Sequence, residues 1–325
     1  MNLWKAIVFG LAVLGGCGKI EPEPTSGPTA PPQPAVWKIA DADTTVYLFG
    51  TVHVLPPDLS WRSPTIDKAF DESKAIYFET DTEGDQIAFR EMLNRLGFYS
   101  PSERLSDQLA LNDLKLLTSA LAKLDMPLVA IEPMRPWYAG VVISDVIVRK
   151  AGYDVNSGVE SVMRSAGRSA GKQIRFLETV EQQMSSFATL PEDIQIRFLI
   201  GGLGEIDLAP QKLDDLVKAW TLGDVDSLHR LLIDEDLGNI PELYDSLLTH
   251  RNANWAAQID SLMDSETGTF LVAVGAAHLI GKDSVLEMLK TVGDSPQRLG
   301  LPLARDNCPA IRSPAPSRRR TRIAA

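Results

Sequence analysis

The chain has 325 residues, 44% hydrophobic and 23% charged, which is the balance of an ordinary globular protein with ample apolar material for a core. The formal net charge is −11, although Pro309–Ala325 carries five arginines and no acid, so the body is more acidic still. An acidic body argues against nucleic acid as the main partner.

Met1–Gly16 reads as a secretory signal: Lys5 gives a positive start and Ala6–Leu14 an apolar stretch too short for a permanent membrane helix. Leu14-Gly-Gly-Cys17 then places small residues before a cysteine and resembles a bacterial lipobox. Lipid on Cys17 would hold the protein at a membrane surface without a transmembrane helix. A disulfide from Cys17 to Cys308 would tie a leader to a tail, and neither cysteine has a CxxC or zinc-finger neighbour. Glu21–Ala35 holds six prolines, so residues 17–36 are expected to form a lipidated, semi-rigid tether.

The folded domain is expected over residues 37–299. Trp37–Ala40 and Thr44–Phe49 read as a hairpin, followed by a helix near Pro64–Ser73 and a strand at Ala75–Thr80. Leu105–Leu124 has a long helical pattern with Ser106 as its N-cap. Pro136–Val148 is expected to be helical, Asn156–Gly171 loop then helix, and Gln173–Leu177 a strand. Glu192–Met263 is mostly helical, Thr269–Val274 is a strand, and Asp283–Val292 is a helix stopped by Gly293. This order predicts an α/β fold: a central mixed sheet with flanking helices and a large helical insertion. From Asp294 onward, apart from a short strand at Gln297–Leu299, the chain is expected to be disordered, and residues 300–325 form a basic tail.

Two matching tetrapeptides stand out: Gly50-Thr-Val-His53 after Val46–Phe49, and Gly275-Ala-Ala-His278 after Leu271–Val274. Gly50 and Gly275 suit a sharp turn or a close backbone approach. In α/β folds ligands sit outside the carboxyl ends of the strands, where both histidines are expected. Glu79 ends a third strand. Two His and one Glu form a ligand set used by catalytic zinc, so His53, Glu79 and His278 are the candidate catalytic and metal-binding residues, although no HExxH is present. Arg135 beside Trp137, and Arg251 near Trp255, are secondary candidates for a substrate carboxylate. Glu160, Glu178 and Glu181 read as cap or surface residues. No P-loop, GxGxxG or GxSxG is present.

Thr45–Pro56, Tyr77-Phe-Glu-Thr80, Arg135-Pro-Trp137, Leu177–Gln182, Arg251-Asn-Ala-Asn-Trp255 and Val272–Gly281 together resemble the TraB/GumN family. That family is related to the Tiki metalloproteases and, more distantly, to erythromycin esterase and the haem-binding ChaN proteins. The resemblance covers about Trp37 to Leu299 and carries the family's site onto His53, Glu79 and His278. Its Tiki side implies metal-dependent peptide hydrolysis, with a divalent ion such as Zn, Mn or Co. Its esterase side implies His-based hydrolysis of a small molecule without metal. Its ChaN side implies a binding lipoprotein for haem or metal, with Tyr47, Tyr77 or the histidines as ligands. The expected location is across the cytoplasmic membrane, lipid-anchored, facing the periplasm or outer membrane. The oligomeric state is not legible.

Overall fold

A computed structural model of the chain describes residues 31–81 and 83–300. The signal segment, Cys17, most of the tether, the basic tail and Cys308 lie outside the described residues.

The strands are β1 (Val36–Ala40), β2 (Thr44–Thr51), β3 (Ala75–Phe78), β4 (Gln173–Phe176), β5 (Gly268–Gly275) and β6 (Gln297–Arg298). They form one sheet in the order β4-β3-β5-β2-β1-β6. β4, β3, β5 and β2 run parallel, and β1 is antiparallel to both of its neighbours. The longer helices are α1 (Pro64–Glu72), α2 (Gln86–Gly97), α3 (Leu111–Lys123), α4 (Pro136–Lys150), α5 (Val159–Ser169), α6 (Val180–Ala188), α7 (Glu192–Ile200), α8 (Ala209–Thr221), α9 (His250–Ser265) and α10 (Val285–Val292). The architecture is α/β, as expected.

The central parallel strands β5 and β2 carry apolar runs, Phe270–Val274 and Val46–Phe49, because both faces of the sheet are covered there. Alternate residues of β2 go to opposite sides. Val46 and Leu48 join Phe270, Val272 and Val274 under Trp255 and Ile259 of α9 and Leu289 of α10. Tyr47 and Phe49 join Ile76, Phe78, Leu271 and Ala273 against α1, α5 and the helical insertion. Helices therefore hold the carboxyl edge of the sheet from both sides.

Local chemistry sets several boundaries. Pro64 and Pro136 sit in the first turns of α1 and α4, where a missing N–H costs nothing. Thr179 and Gln182 form a reciprocal capping box that starts α6. Gly293 ends α10 in the left-handed region at φ 105°.

Three features depart from the expectations. Leu105–Leu124 is not one helix but a 3-10 turn, Leu105–Gln108, followed by α3. Ser106 caps nothing there: its N–H and hydroxyl both donate to Glu132 Oε2, a tertiary attachment that breaks the pattern. Helix α2 was not expected; Asp85 starts it by accepting from Ile87 N and Ala88 N. The end of the tether is docked, because Gln33 N donates to Thr221 O at 2.7 Å and Ala35 is buried. The short strand expected at Gln297–Leu299 does form: β6 pairs with β1, and Leu299 N donates to Val36 O at 2.8 Å. Among the described residues no helix is long and apolar enough to cross a membrane.

Candidate functional site

The two GxxH segments lie side by side. In the β2–β5 register Gly50 faces Val274 and Thr51 faces Gly275. A Cβ on Gly50 would lie 3.1 Å from Ala276 Cα, so the bare glycine lets the second segment approach the first. The Gly50 carbonyl accepts from Trp220 Nε1 at 2.8 Å, which anchors the turn from below. β3 lies on the other side of β5 and ends one residue before Glu79. His53, Glu79 and His278 thus stand on three adjacent strands at one edge, although 225 positions separate the histidines in sequence.

The pairing of β3 with β4 continues past the strand ends, where Glu178 N donates to Glu79 O at 2.9 Å. That places a second buried carboxylate beside the first. The group is closed to solvent: His278 is 0% exposed, Glu79 3%, His53 4%, Glu160 6%, Arg251 7% and Glu178 9%.

Arg251, from the first turn of α9, sits at the centre. Nη2 donates to Glu79 Oε2 at 2.8 Å and to Glu178 Oε1 at 2.6 Å. Nε points at the Glu178 carboxylate at 3.1 and 3.2 Å. Nη1 donates to Leu247 O at 3.0 Å and lies 3.2 Å from His278 Nε2. All five guanidinium N–H groups are thereby directed at protein acceptors. The expectation that Arg251 clamps a substrate carboxylate is corrected, since it clamps two carboxylates of its own chain. Leu247 belongs to a wide π-turn, Asp245–Thr249, that runs directly into α9.

The tautomer of His278 follows from its partners. Its Nε2 faces a donor-only guanidinium and must accept, so Nδ1 carries the proton and donates to Asn252 Oδ1 at 2.6 Å. Asn252 Nδ2 in turn donates to Asp283 O at 2.8 Å, which fixes the amide orientation. Trp255 packs on the ring at 4.4 Å. Burial, then the Arg251 charge, then His53 hold His278 well below the ordinary imidazole value.

His53 is held from the opposite face of the sheet. Its Nδ1 lies 2.8 Å from Glu160 Oε1, at ion-pair distance but without a straight hydrogen bond, and its buried Nε2 has no partner among the described residues. Thr51 Oγ1 donates to the same Glu160 oxygen. Gly158-Val159 brings Glu160 into place: Val159 N donates to Val52 O at 3.0 Å, and a Cβ on Gly158 would lie 1.9 Å from the His53 carbonyl oxygen. Burial lowers the affinity of His53 for a proton, but Glu160, helped by Glu79, outweighs burial and Arg251 and leaves it above the ordinary value. Glu160 is correspondingly held below the usual carboxylate range: burial opposes this most strongly, but His53 and the Thr51 hydroxyl together outweigh it.

Glu79 has no spare oxygen. Oε1 accepts from Gly275 N at 2.7 Å, and Oε2 accepts from Gln183 Nε2 at 3.0 Å as well as from Arg251. Glu79 Oε1 and His278 Nε2 are 3.8 Å apart. A metal shared by the three residues would need the His278 Nε2 lone pair that Arg251 Nη1 faces. Among the described residues no set of three or more His, Cys, Asp and Glu side chains is placed to hold a metal.

Other expectations fare differently. Glu160 and Glu178 were expected at caps or on the surface, yet both are buried in the site, whereas Glu181 is exposed and pairs with Arg95 at 2.7 Å. A signal for Glu178 existed: Phe78-Glu-Thr80 and Leu177-Glu-Thr179 are matching strand endings on neighbouring strands. Arg135 is apart from the cluster, with its guanidinium over the Tyr99 ring at 5.0 Å. The hydroxyls of Tyr47 and Tyr77 are engaged by Glu72 and Arg175, each at 2.6 Å, in the body of the sheet and not at its edge.

Comparison with known sequences identifies the family. The TraB/PrgY/gumN family pattern matches residues 35–298. The chain belongs to that family. Relatives include the uncharacterized protein YbaP of Escherichia coli (strain K12), 23% identical over 244 residues, covering 75% of this chain and 87% of YbaP. An uncharacterized protein of Treponema pallidum (strain Nichols) is 23% identical over 270 residues, covering 78% and 79% of the two chains. No solved structure gives a significant match.

Proposed function

We propose that the protein is a hydrolase of peptides or small molecules in which His53 activates water, and that lipid on Cys17 holds it at the outer face of a membrane. The observation that carries the catalytic reading is the state of His53. An acceptor-only carboxylate at Nδ1 calls for the proton there, which leaves the Nε2 lone pair as a base. That nitrogen is buried and unpartnered, and such a group is costly unless something uses it. Glu160 supplies the orientation and stabilises the imidazolium that forms when His53 takes a proton from water. The nearby Arg251 charge favours negative charge developing on a substrate carbonyl oxygen, acting through space because its donors are spent.

The test is turnover of a peptide and ester library by the purified full-length protein, with His53→Ala and Glu160→Gln beside it. The reading expects activity that survives chelators, disappears in His53→Ala and drops about 100-fold or more in Glu160→Gln. Cleavage that is unchanged in His53→Ala refutes it.

A metal-dependent peptidase is the second reading. Oxygen atoms hold the Nδ1 side of both histidines, from Glu160 and from Asn252, which is the usual support of metal-ligating imidazoles. It requires Arg251 to leave Glu79 and His278. Activity that chelators abolish and a divalent ion restores would favour it over the metal-free reading.

A further inference from the structure

The cluster is closed to solvent, so a substrate needs an approach, and a cleft borders the cluster at Glu178. A cavity of about 590 Å³ lies between the first turns of α2 and the segment that carries β4 into α6. That is within the usual size of a small-ligand site. Glu178 is the shared wall: it lines the cavity and grips Arg251 on its other side. The rest of the lining is largely apolar, with Phe89 of α2 facing Phe176 of β4.

The charge of this lining is one-sided. Its ionisable side chains are Asp81, Asp85, Glu178 and Glu181, and among the described residues that line it there is no Lys, Arg or His. Two helix N-termini open onto the cavity and would ordinarily favour an anion. Both are already satisfied from within. Asp85 takes the N–H groups of Ile87 and Ala88, and Thr179 and Gln182 cap each other's backbone. Glu181 is shared with Arg95 at the exposed rim. Both oxygens of Glu178 are held by Arg251, so Asp81, whose Oδ1 accepts from Glu83 N, is the acid of the lining left to face a ligand.

We propose that this cleft binds an organic cation carried on an apolar body, the chemistry of a basic residue next to a hydrophobic one in a peptide. The cleft's link to turnover rests on the hydrolase reading above; binding does not. The experiment is calorimetric titration of the full-length protein in detergent with N-acetyl-Phe-Arg-amide and its uncharged twin, N-acetyl-Phe-citrulline-amide. The arginine peptide should bind about fivefold tighter, the size of a partly exposed ion pair. Asp81→Asn should abolish that preference and leave the citrulline affinity unchanged. Phe89→Ser should weaken both peptides about tenfold, through lost apolar burial, while the melting curve confirms folding. Equal affinities for the two peptides, a preference that survives Asp81→Asn, or no binding of either would overturn the proposal. Selective binding without cleavage upholds the cleft and removes the hydrolase reading. Cleavage without charge preference does the reverse.

Discussion

Replacing Arg251 with Met tests whether one guanidinium holds the site together. Met approximates the length and volume of the stem but removes the charge and all five donors. Glu79 and Glu178, 3% and 9% exposed, would be left as neighbouring buried carboxylates, and His278 Nε2 would lose its donor. Breaking a buried pair by removing one partner costs about 3–5 kcal/mol, because the remaining charge stays desolvated. In a domain this size each kcal/mol moves the melting temperature by about 2–4 °C, so the loss should be about 6–20 °C. The assay is thermal unfolding of the full-length protein followed by circular dichroism. Adding Glu79→Gln and Glu178→Gln to the Met variant should recover most of the loss, since the carboxylates and not the missing arginine are what destabilise it. Acid should help the single variant too. Burial already holds Glu178 above the usual carboxylate range against the pull of Arg251, and protonation relieves the repulsion. A Met variant within about 2 °C of the parent at neutral pH, less than 1 kcal/mol, would refute the reasoning.

Three further outcomes are expected. Gly158→Ala should lower stability by about 1–3 kcal/mol and displace His53 from Glu160, because its Cβ would meet the His53 carbonyl at 1.9 Å; unfolding and a crystal structure of the variant check both. His278, whose folded value is depressed by burial and Arg251, adds stability that is present above its unfolded value near 6.5 and lost as pH falls below it. His278→Gln should therefore flatten the decline in melting temperature between about pH 7 and 5, and an unchanged slope would contradict the assignment. Cys17→Ala should abolish incorporation of labelled lipid and release the protein from the membrane fraction, whereas a parent protein that takes up no label would end the anchoring proposal.

Much of this site was legible because strand ends are written locally. A β-like run closed by Gly and followed by His occurs twice, and the sheet places the two copies at consecutive positions in register. The helix that opens at Pro136 was also readable. Of the two glutamates expected at caps or on the surface, Glu178 had a signal in its matching strand ending, but Glu160 could not be placed from local context. Glu160 lies in the first turn of α5, where an acid ordinarily meets solvent and the helix dipole. Only the clamp of Gly158-Val159 on Val52-His53, more than a hundred residues away in sequence, turns it inward. Arg251 was visible as an arginine near a tryptophan, but its partners come from β3, β4 and β5. The broken helix at Leu105 has the same origin, since Glu132 captures Ser106 from a separate segment.

The repeated motif does not produce a repeated function, and the reason is the third layer of residues. The two imidazoles end neighbouring parallel strands with the same spacing from the same glycine. One meets a carboxylate from α5 and is pushed up; the other is buried against a guanidinium from α9 and is pushed down. Titratable groups whose environments drive them apart are where acid–base roles separate. His278, locked neutral between Asn252 and Arg251, is an acceptor that helps hold the guanidinium over the edge of the sheet. His53, with a carboxylate behind it and no hydrogen-bond partner for Nε2 among the described residues, is the imidazole poised to gain and lose a proton. If turnover is found, its acid limb should therefore titrate above 6.5 and shift downward in Glu160→Gln, while Asn252→Ala should disturb stability more than that limb. An acid limb that ignores Glu160→Gln but moves with Asn252→Ala would reverse the two roles.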